Sequence, residues 1–437
     1  MPIWNAELET CSRAELTALQ VERLRRLVGY LQERVPFYHE RLTRAGVSPD
    51  AIRSLDDLRR LPFTGKVDLR DQYPFGLLAV PRERVARIHA SSGTTGNPTV
   101  GAYTSEDLAL WGEVMARSLS MAGVTERDTV HNAYGYGLFT GGLGVHVGAE
   151  RIGATVVPVS GGLTRRQVKL LEDFGATVLT CTPSYALAIA DEIAEQALDV
   201  RARLKLRVGV FGAEPWTERM RTEIEHRLHL EALNIYGLTE IIGPGVAQEC
   251  EAKRGMHLFE DVFLPEIVDP ETGEQLPLGE VGELVLTTLT KEAMPLLRYR
   301  TRDRTRLLPE CCDCGRTQVR MDRVLGRTDD MLVIKGVNVF PQLIERTLLA
   351  IPHLGPHYQI IIDRPRGTVD AVEIRVEMAA DMLEPVEPAR LEDLRRRVEH
   401  ELAQALGVSI RVKLVGPREI PRSEGKAKRV IDRRELV

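Results

Sequence analysis

The stretch that decides the fold is "LRVGVFGAEPWTERMRTEIEHRLHLEALNIYGLTE", residues 206–240. The run "LRVGVFGAEP" (206–215) ends in a glycine-containing turn and leads through a helix-like segment to "ALNIYGLTE" (232–240). The same alternation occurs earlier, in "ATVVPVSGG" (154–162) and "ATVLTCTPS" (176–184). Alternating β and α units predict an α/β fold with a mostly parallel sheet, which binds ligands at the carboxyl ends of its strands.

The character of the sequence changes on both sides of this α/β stretch. Residues 13–60 carry leucine and valine at helical spacing, which predicts helices. Residues 266–290 combine turn signals with alternating runs and predict an antiparallel β portion. The last part of the chain predicts a smaller α/β unit, with helices near 341–351 and 388–405 and strands near 358–363, 371–378 and 409–415.

The chain has 437 residues, which is too many for one ordinary hydrophobic core, so more than one domain is expected. A polar junction lies at "GRTDD", residues 326–330. We therefore predict a large N-terminal domain, residues 1–328, which contains mostly parallel sheets and the β portion. Residues 329–437 are predicted to form a small, mobile C-terminal α/β domain.

The apolar and charged fractions of the composition are those of a soluble globular protein. The net charge of −5 is small for this length, so neither a nucleic acid nor a membrane surface is expected as a partner. No apolar run approaches the roughly 20 residues of a membrane-spanning helix. The first residues lack the pattern of a secretion signal, so a cytoplasmic location is expected. In a cytoplasmic protein, the cysteines should be reduced thiols or metal ligands.

A run of small hydroxyl and glycine residues, "SSGTTGNPT" (91–99), has the composition of a phosphate-binding loop. Glycine lets the backbone turn its N–H groups inward, and serine and threonine add hydroxyl donors. The run lacks the G-K-[ST] ending of a P-loop, so a positive charge must come from elsewhere. The residues assigned to this loop are Ser91, Ser92, Gly93, Thr94, Thr95 and Gly96.

Four further motifs follow this loop in a fixed order. They are "YGLTE" (236–240), "YRTRD" (299–303), "GRTDD" (326–330) and "PRSEGKAKR" (421–429). With the loop, they resemble the signatures of the adenylate-forming superfamily of acyl-CoA ligases, luciferases and peptide-synthetase adenylation domains. Arg302 stands where the superfamily commonly has glycine, and Thr99 where many members carry a lysine.

Other segments are similar to one branch of that superfamily, the phenylacetate–coenzyme A ligase family. These segments are "YPFGLLAVPRE" (73–83), "AYGYGLFTGG" (133–142), "FGAEPW" (211–216), "IIGPGVAQEC" (241–250) and "IKGVNVFP" (334–341). The resemblance implies ATP, Mg²⁺ and coenzyme A as cofactor and co-substrates. It also implies that a small aromatic carboxylic acid is the partner, and by analogy a homodimer.

The resemblance assigns roles to residues of the nucleotide site. The loop would wrap the β- and γ-phosphates, Thr239 would contact the α-phosphate, and Glu240 would hold Mg²⁺. Asp303 and Arg327 would bind the ribose, and Asp303 would accept hydrogen bonds from both ribose hydroxyls. The residues expected to line the adenine slot are Tyr236, Gly237, Gly212, Ala213, Glu214 and Pro215.

The resemblance also implies a domain rotation between two half-reactions. Lys426, in the C-terminal motif, would neutralise charge as the acyl carboxylate meets the α-phosphate, and Lys428 is a nearby competitor. Asp329 would be the hinge, where a few backbone dihedrals absorb the turn. Gly336 would lie on the loop that faces the pantetheine arm of coenzyme A.

The acyl pocket is expected around "AYGYGLFTGG", where Tyr134, Tyr136 and Phe139 offer flat apolar faces, although each suits an ordinary core equally well. The predicted activity is an ATP-dependent phenylacetate–CoA ligase. One alternative is a ligase for benzoate, anthranilate or a hydroxyphenylacetate. Another is a stand-alone adenylation enzyme that loads the thiol of a carrier protein.

Four of the six cysteines occur close to a histidine in sequence or to one another. The pattern C-x6-H…C-x-C-G provides soft and borderline ligands that suit tetrahedral Zn²⁺. The predicted ligands are Cys250, His257, Cys312 and Cys314, with Cys311 as the competitor of Cys312. A full set leaves no open position, so such a metal would be structural. Reduced thiols at a domain surface are the alternative.

Overall fold

The computed structural model describes residues 2–91, 98–328, 332–334, 337–339, 341–363, 371–379, 388–422 and 429–433. None of the helices in these ranges is long and apolar enough to span a bilayer. The α-helices are α1 (Ala6–Glu9), α2 (Arg13–Arg34), α3 (Pro36–Ala45), α4 (Lys66–Asp71), α5 (Ser105–Met121), α6 (Gly141–Ile152), α7 (Thr164–Asp173), α8 (Pro183–Glu195), α9 (Val200–Arg203), α10 (Glu218–Leu228), α11 (Pro341–Ala350) and α12 (Pro388–Leu406), with 3-10 turns at Pro49–Ala51, Leu55–Arg60 and Arg82–Arg84.

The helices predicted for residues 13–60 are confirmed. A capping box starts α2: Ser12 accepts from the backbone N–H of Glu15, and the Glu15 carboxylate accepts from the backbone N–H of Ser12. The leucines at helical spacing in α2 are buried, so one face of the helix packs against the main core.

A nine-stranded sheet within the described part of the chain forms the centre of the protein, in the order β13-β14-β9-β8-β7-β6-β5-β3-β4. The strands from β4 to β7 are parallel, as predicted, and the rest pair antiparallel. The strands of the chain are β1 (Arg87–Ser91), β2 (Thr99–Tyr103), β3 (Thr129–Asn132), β4 (Thr155–Val157), β5 (Val178–Cys181), β6 (Val208–Gly212), β7 (Glu231–Leu238), β8 (Gly243–Glu249), β9 (Met256–Leu258), β10 (Phe263–Val268), β11 (Gly282–Thr288), β12 (Tyr299–Thr305), β13 (Leu307–Leu308), β14 (Arg320–Met321), β15 (Gly326–Arg327), β16 (Leu332–Ile334), β17 (Val337–Val339), β18 (Leu354–Asp363), β19 (Ala371–Met378), β20 (Arg411–Val415) and β21 (Val430–Asp432).

Helices cover both faces of this sheet. Successive strand residues point to opposite faces, so Val210 joins one hydrophobic cluster with α2 and α5 while Phe211 joins another with α7, α8 and α10. Strand β5 is buried along its whole length. Coverage on both faces explains why these strands appear in the sequence as continuous apolar runs rather than as alternating patterns.

The predicted antiparallel portion is a four-stranded sheet in the order β10-β11-β12-β15. A separate hairpin, β1 and β2, carries the candidate phosphate loop between its strands. Because residues on β12 and β15 face the carboxyl ends of the central strands, this second sheet supplies one wall of the candidate site.

The last part of the chain has its own hydrophobic core. Its sheet has the order β20-β19-β18-β21, and α11 and α12 pack on it through buried leucines, isoleucines and valines. These elements match the helices and strands predicted for this part of the chain. The boundary between residues 328 and 329 stays a prediction, since residue 329 lies outside the described residues.

Arg302, which stands where the superfamily commonly has glycine, adopts a backbone conformation that favours glycine. Its φ is 68°, in the left-handed region, at a point where the pairing of β11 with β12 shifts register. The backbone N–H of Arg302 donates to Oε1 of Glu283 at 3.2 Å, and its carbonyl accepts from the N–H of Thr328 at 2.8 Å. These contacts therefore hold a non-glycine residue in the left-handed region, at the cost of an unfavourable dihedral.

We expect Arg302→Gly to change the free energy of unfolding by less than about 1 kcal/mol, because the relieved dihedral offsets the lost side chain. Arg302→Val should lower it by about 2 kcal/mol or more, since a β-branched residue fits poorly at positive φ. The measurement is urea denaturation. Arg304→Val, two residues along β12 and without a positive φ, is the control. Equal losses for the two valine variants would contradict this explanation.

Candidate active site

The carboxyl ends of β6 and β7 form the edge of the sheet where the predicted adenine slot lies. Strand β6 ends at Gly212, and Ala213 follows with a φ of 70°. A Cβ on Gly212 would lie 2.2 Å from the carbonyl oxygen of Ile235 in the next strand. Only glycine permits this approach, so the two strand ends stay close enough to form one wall.

Tyr236, Asp303 and Arg327 are brought together from three different strands. The Tyr236 hydroxyl in β7 donates to Oδ2 of Asp303 in β12 at 2.6 Å, and Nη1 of Arg327 in β15 donates to Oδ1 at 3.2 Å. Asp303 is 7% exposed, so its orientation is set by these partners. A carboxylate offers about four acceptor positions, so Asp303 can accept from several donors at once.

Thr239 and Glu240 lie on the turn after β7, next to the hairpin that carries the loop. A Cβ on Gly101 of β2 would lie 2.9 Å from the carbonyl oxygen of Thr239, so the hairpin backbone packs directly on this turn. Oε1 of Glu240 accepts from the Tyr299 hydroxyl at 3.4 Å. No described residue donates a hydrogen bond to the second carboxylate oxygen of Glu240, so this oxygen is available to a hard cation such as Mg²⁺.

Several predicted residues lie outside the described residues. Of the loop, Ser91 ends β1 opposite Thr99 in β2, so the described strands bring both ends of the loop to the same place. The predicted site residues that lie outside the described ranges of the structure are Ser92, Gly93, Thr94, Thr95, Gly96, Asp329, Gly336 and Lys426.

Glu214 is tied to a neighbouring helix. Its Oε1 accepts from the backbone N–H of Ser184, in the first turn of α8, at 2.7 Å. A carboxylate here satisfies a helix N–H and lies favourably in the helix dipole. The segment from Gly212 to Pro215 is thereby held at the strand ends by a backbone contact on one side and a helix terminus on the other.

The three aromatic residues predicted for the acyl pocket have different environments. Tyr134 is buried and its hydroxyl donates to the carbonyl of Val210 at 3.5 Å, which is a core environment. Tyr136 is partly buried, and its hydroxyl accepts from Nδ2 of Asn132 at 2.7 Å and lies 3.1 Å from Nδ1 of His146. Phe139 is 55% exposed. Tyr136 and Phe139 are therefore better placed to meet a ligand than Tyr134.

Lys291 is a charged residue near the site that sequence inspection did not select. It is 3% exposed, its Nζ donates to the carbonyl of Ile241 at 2.8 Å, and it lies 4.8 Å from the centre of the Tyr103 ring. Burial lowers the pKa of Lys291 to about 8, against the opposing effects of Asp107 and Glu240. A lone lysine within the largely apolar run 286–297, "LTTLTKEAMPLL", was the available signal.

Cys250, His257, Cys312 and Cys314 form one cluster, with their ligand atoms all within 4.8 Å of one another. Sγ of Cys250 lies 3.6 Å from Sγ of Cys312, and Sγ of Cys314 lies 3.3 Å from Nε2 of His257. Ligands on a tetrahedral zinc ion would be about 3.8 Å apart for sulfur pairs, so the geometry fits. Cys311, the alternative, is exposed.

The cluster joins segments that are distant in sequence. Cys250 follows β8, His257 belongs to β9, and Cys312 and Cys314 lie in the loop between β13 and β14. A hydrogen bond from the Cys250 thiol lowers the pKa of Cys314, and the imidazole of His257 adds to the effect. Nδ1 of His257 is buried without a hydrogen-bond partner among the described residues, so Nε2 is the candidate ligand atom.

Comparison with solved structures extends over the whole chain. The crystal structure of 2-hydroxyisobutyryl-CoA ligase in the postadenylation state, in complex with 2-HIB-AMP, has a TM-score of 0.91 and 29% identity. The match covers 99% of this chain and 92% of that one. The same enzyme in the thioesterification state, in complex with 2-HIB-AMP and CoA, has a TM-score of 0.74 over 98% of this chain and 92% of that one, at 30% identity.

Family profiles and relatives agree with this comparison. The profile described as "AMP-binding enzyme" matches residues 43–289, and "AMP-binding enzyme C-terminal domain" matches residues 336–434. The phenylacetate-coenzyme A ligase of Thermus thermophilus is 55% identical over 99% of this chain and 100% of its own length. That of Escherichia coli is 52% identical over 98% of each chain. The chain therefore belongs to the phenylacetate–coenzyme A ligase family of AMP-binding enzymes.

Proposed function

We propose that the protein is an ATP-dependent phenylacetate–CoA ligase. The carboxylate of the acid attacks the α-phosphate of ATP, and pyrophosphate leaves. The thiol of coenzyme A then attacks the acyl carbonyl, and AMP leaves. The observation that carries the proposal is identity of 50–55% over nearly the full length with four relatives of that name.

The contacts around Asp303 and Glu240 support the proposed nucleotide site. Asp303 would accept from the ribose hydroxyls while Tyr236 lies against the adenine. The loop from Ser91 to Gly96 would donate backbone and hydroxyl groups to the β- and γ-phosphates. A Mg²⁺ ion, when bound, would neutralise phosphate charge, and Glu240 would hold it. Thr239, on the same turn, would contact the α-phosphate.

The proposal includes two domains with different tasks. Residues 1–328 would bind ATP and the acid, and residues 329–437 would carry Lys426. Asp329 would act as the hinge between the orientations for the two half-reactions, and Gly336 would lie beside the pantetheine arm. The separate hydrophobic core of the C-terminal unit supports a division of this kind.

We expect the purified protein to form AMP and an acyl-CoA thioester from phenylacetate, ATP and coenzyme A, with Mg²⁺ present. A panel of phenylacetate, hydroxyphenylacetate, benzoate and anthranilate should give the highest kcat/KM with phenylacetate. A higher kcat/KM for another acid would identify that acid, and not phenylacetate, as the preferred substrate. AMP release that needs a carrier protein and not free coenzyme A would favour the adenylation-enzyme alternative. Absence of ATP–pyrophosphate exchange with every aryl acid would overturn the proposal.

Replacement of Lys426 by alanine should separate the two half-reactions. We expect Lys426→Ala to slow acyl-adenylate formation by about a hundredfold or more, because it removes a cation from the developing charge. Thioester formation from preformed acyl-adenylate should change by less than about threefold. The matched control is Lys428→Ala, which should leave both steps near the wild-type rate. Equal losses in both half-reactions for Lys426→Ala would contradict its assigned role.

We also propose that the cluster of Cys250, His257, Cys312 and Cys314 binds a structural zinc ion. Three sulfur atoms and an imidazole nitrogen at tetrahedral spacing support this metal over a hard cation. The metal would join β8, β9 and the loop before β14. It would supply stability rather than chemistry, because all four ligand positions come from the protein.

Metal analysis by mass spectrometry should find about one zinc per chain in the purified protein. Cys314→Ser should lose the metal and lower the thermal midpoint, since a zinc ligand and its cross-link are removed. Cys311→Ser, at the exposed neighbouring thiol, should retain zinc and the wild-type midpoint. Zinc-free wild-type protein with an unchanged midpoint for Cys314→Ser would rule the site out.

A further inference from the structure

Asp191 connects the N-terminal part of the chain to the C-terminal unit. It lies in α8, and its Oδ1 accepts from Nη2 of Arg227 at 2.8 Å within the N-terminal part. Its Oδ2 accepts from Nε of Arg422, in the C-terminal unit, at 2.9 Å. Nη2 of Arg418 donates to the Asp191 backbone carbonyl at 3.2 Å. One carboxylate thus pairs with two guanidinium groups, one from each side of an interface.

Arg422 is also fixed within its own unit. Its Nη1 and Nη2 donate to the two carboxylate oxygens of Glu377, at 2.7 and 2.8 Å. The side chains of Asp191 and Arg422 are 17% and 21% exposed, so water only partly screens their attraction. Although burial alone would raise it, Arg227 and Arg422 hold the pKa of Asp191 below its ordinary value. The carboxylate is therefore charged at neutral pH.

His357 lies beside Asp191 and Arg422 but carries no positive charge at neutral pH. Its Nε2 lies 3.8 Å from Oδ2 of Asp191, but burial lowers the pKa of His357 to about 4. The charged groups that contact Asp191 are thus Arg227, Arg422 and Arg418, and Glu377 pairs with Arg422. Asp191, Arg422 and Glu377 line part of a cleft of about 250 Å³ between the two units.

Arg429 makes a second contact between the same two units. It pairs with Glu345 and lies 3.3 Å from the Tyr358 hydroxyl within the C-terminal unit, and its Nη2 lies 3.7 Å from Sδ of Met220 in α10. Arg422 and Arg429 stand on either side of residues 423–428. Lys426 belongs to that segment, four positions after Arg422.

The comparison structures identify which orientation these contacts accompany. The chain has a TM-score of 0.91 to 2-hydroxyisobutyryl-CoA ligase in its postadenylation state and 0.74 to the same enzyme in its thioesterification state. Coverage of this chain is nearly equal in the two comparisons. The arrangement of the two units here therefore resembles the postadenylation state, and the Asp191 contacts belong to that arrangement.

We propose that Asp191 is a positioning residue for the first half-reaction: by pairing with Arg422 it holds the C-terminal unit in the orientation that acyl-adenylate formation requires. This inference rests on the proposed function for its kinetic consequence. Asp191 touches no reacting group. It acts by favouring one of two orientations, so its loss shifts a population rather than removing a chemical step.

A polar contact suits a connection that must form and break in each catalytic cycle. Separation of an apolar interface would expose hydrophobic surface to water, whereas both partners of this pair can be hydrated when the units part. Replacement of Asp191 by asparagine would also remove the charge that lies between Arg227 and Arg422, while Glu377 would still pair with Arg422 inside the C-terminal unit. The orientation would then be disfavoured, while each unit keeps its own core.

We expect Asp191→Asn to slow acyl-adenylate formation about tenfold, a shift of the size that one specific polar contact gives. The rate of thioester formation from preformed acyl-adenylate should stay the same or rise, since the competing orientation gains population. The control is Asp173→Asn, which removes an exposed pair with Lys169 inside the N-terminal part and should change neither rate. Equal slowing of both half-reactions by Asp191→Asn would indicate a merely structural role and overturn the inference.

A double-mutant cycle tests the pair if the single variant is poorly stable. Arg422→Gln should slow acyl-adenylate formation to a similar extent, and Asp191→Asn combined with Arg422→Gln should be no slower than the slower single variant. Multiplication of the two losses would show that the residues act independently and would contradict the proposal. Circular dichroism of each variant confirms that the comparison is between folded proteins.

A measurement of orientation makes the test independent of catalysis. Arg418 pairs with Glu195 across the same interface, so Glu195→Cys with Arg418→Cys places two thiols there for a short bis-maleimide, mapped by mass spectrometry. Asp191→Asn should reduce the 195–418 cross-link severalfold, whereas Asp173→Asn should not. If the wild-type enzyme lacks ligase activity while the cross-link still depends on Asp191, the proposed function is wrong but the effect of Asp191 on the orientation of the units stands. An unchanged cross-link overturns the inference, whatever the activity.

Discussion

The hydrogen bond from Tyr236 to Asp303 is the contact on which the candidate nucleotide site depends. It joins β7 of the central sheet to β12 of the second sheet, across 67 positions of sequence. In a nearly buried environment, a hydrogen bond to a carboxylate is strong and the cost of leaving either partner unpaired is large. The bond therefore fixes both the spacing of the sheets and the direction of the carboxylate. The neighbouring Arg327 and the turn at Thr239 and Glu240 take their positions from that junction.

Close backbone approach has the same effect in the walls of the site. Gly212 lets β6 approach β7, and Gly101 lets the loop-bearing hairpin pack on the turn at Thr239. Both contacts exclude any side chain, so the loop ends and the strand ends are held at short range without a cross-link. Arg302 shows that the conformation matters more than the residue type, because an arginine adopts there the left-handed backbone that glycine usually provides.

Two kinds of connection hold this chain together, and they differ in permanence. Within the N-terminal part, buried ion pairs such as Arg316 with Glu9 attach the first helix to the segment beside the cysteine cluster, and removal of one partner would strand a charge in the core. Between the two units the described contacts include partly exposed ion pairs, as at Asp191 and Arg422. Connections of the first kind suit a rigid scaffold, and those of the second suit parts that change orientation.

Local pattern was sufficient for the α/β class, because strand runs, glycine turns and helical spacing depend on neighbours along the chain. The resemblance to ordered motifs assigned Tyr236, Asp303 and Arg327 to one predicted nucleotide site, and ligand chemistry grouped Cys250, His257, Cys312 and Cys314, whose ligand atoms lie within 4.8 Å of one another. The sequence did not indicate Lys291 as a buried cation, the left-handed Arg302, or the partners of Asp191. Those properties depend on which distant groups pack beside each residue and on how much water remains, and only the tertiary structure decides both.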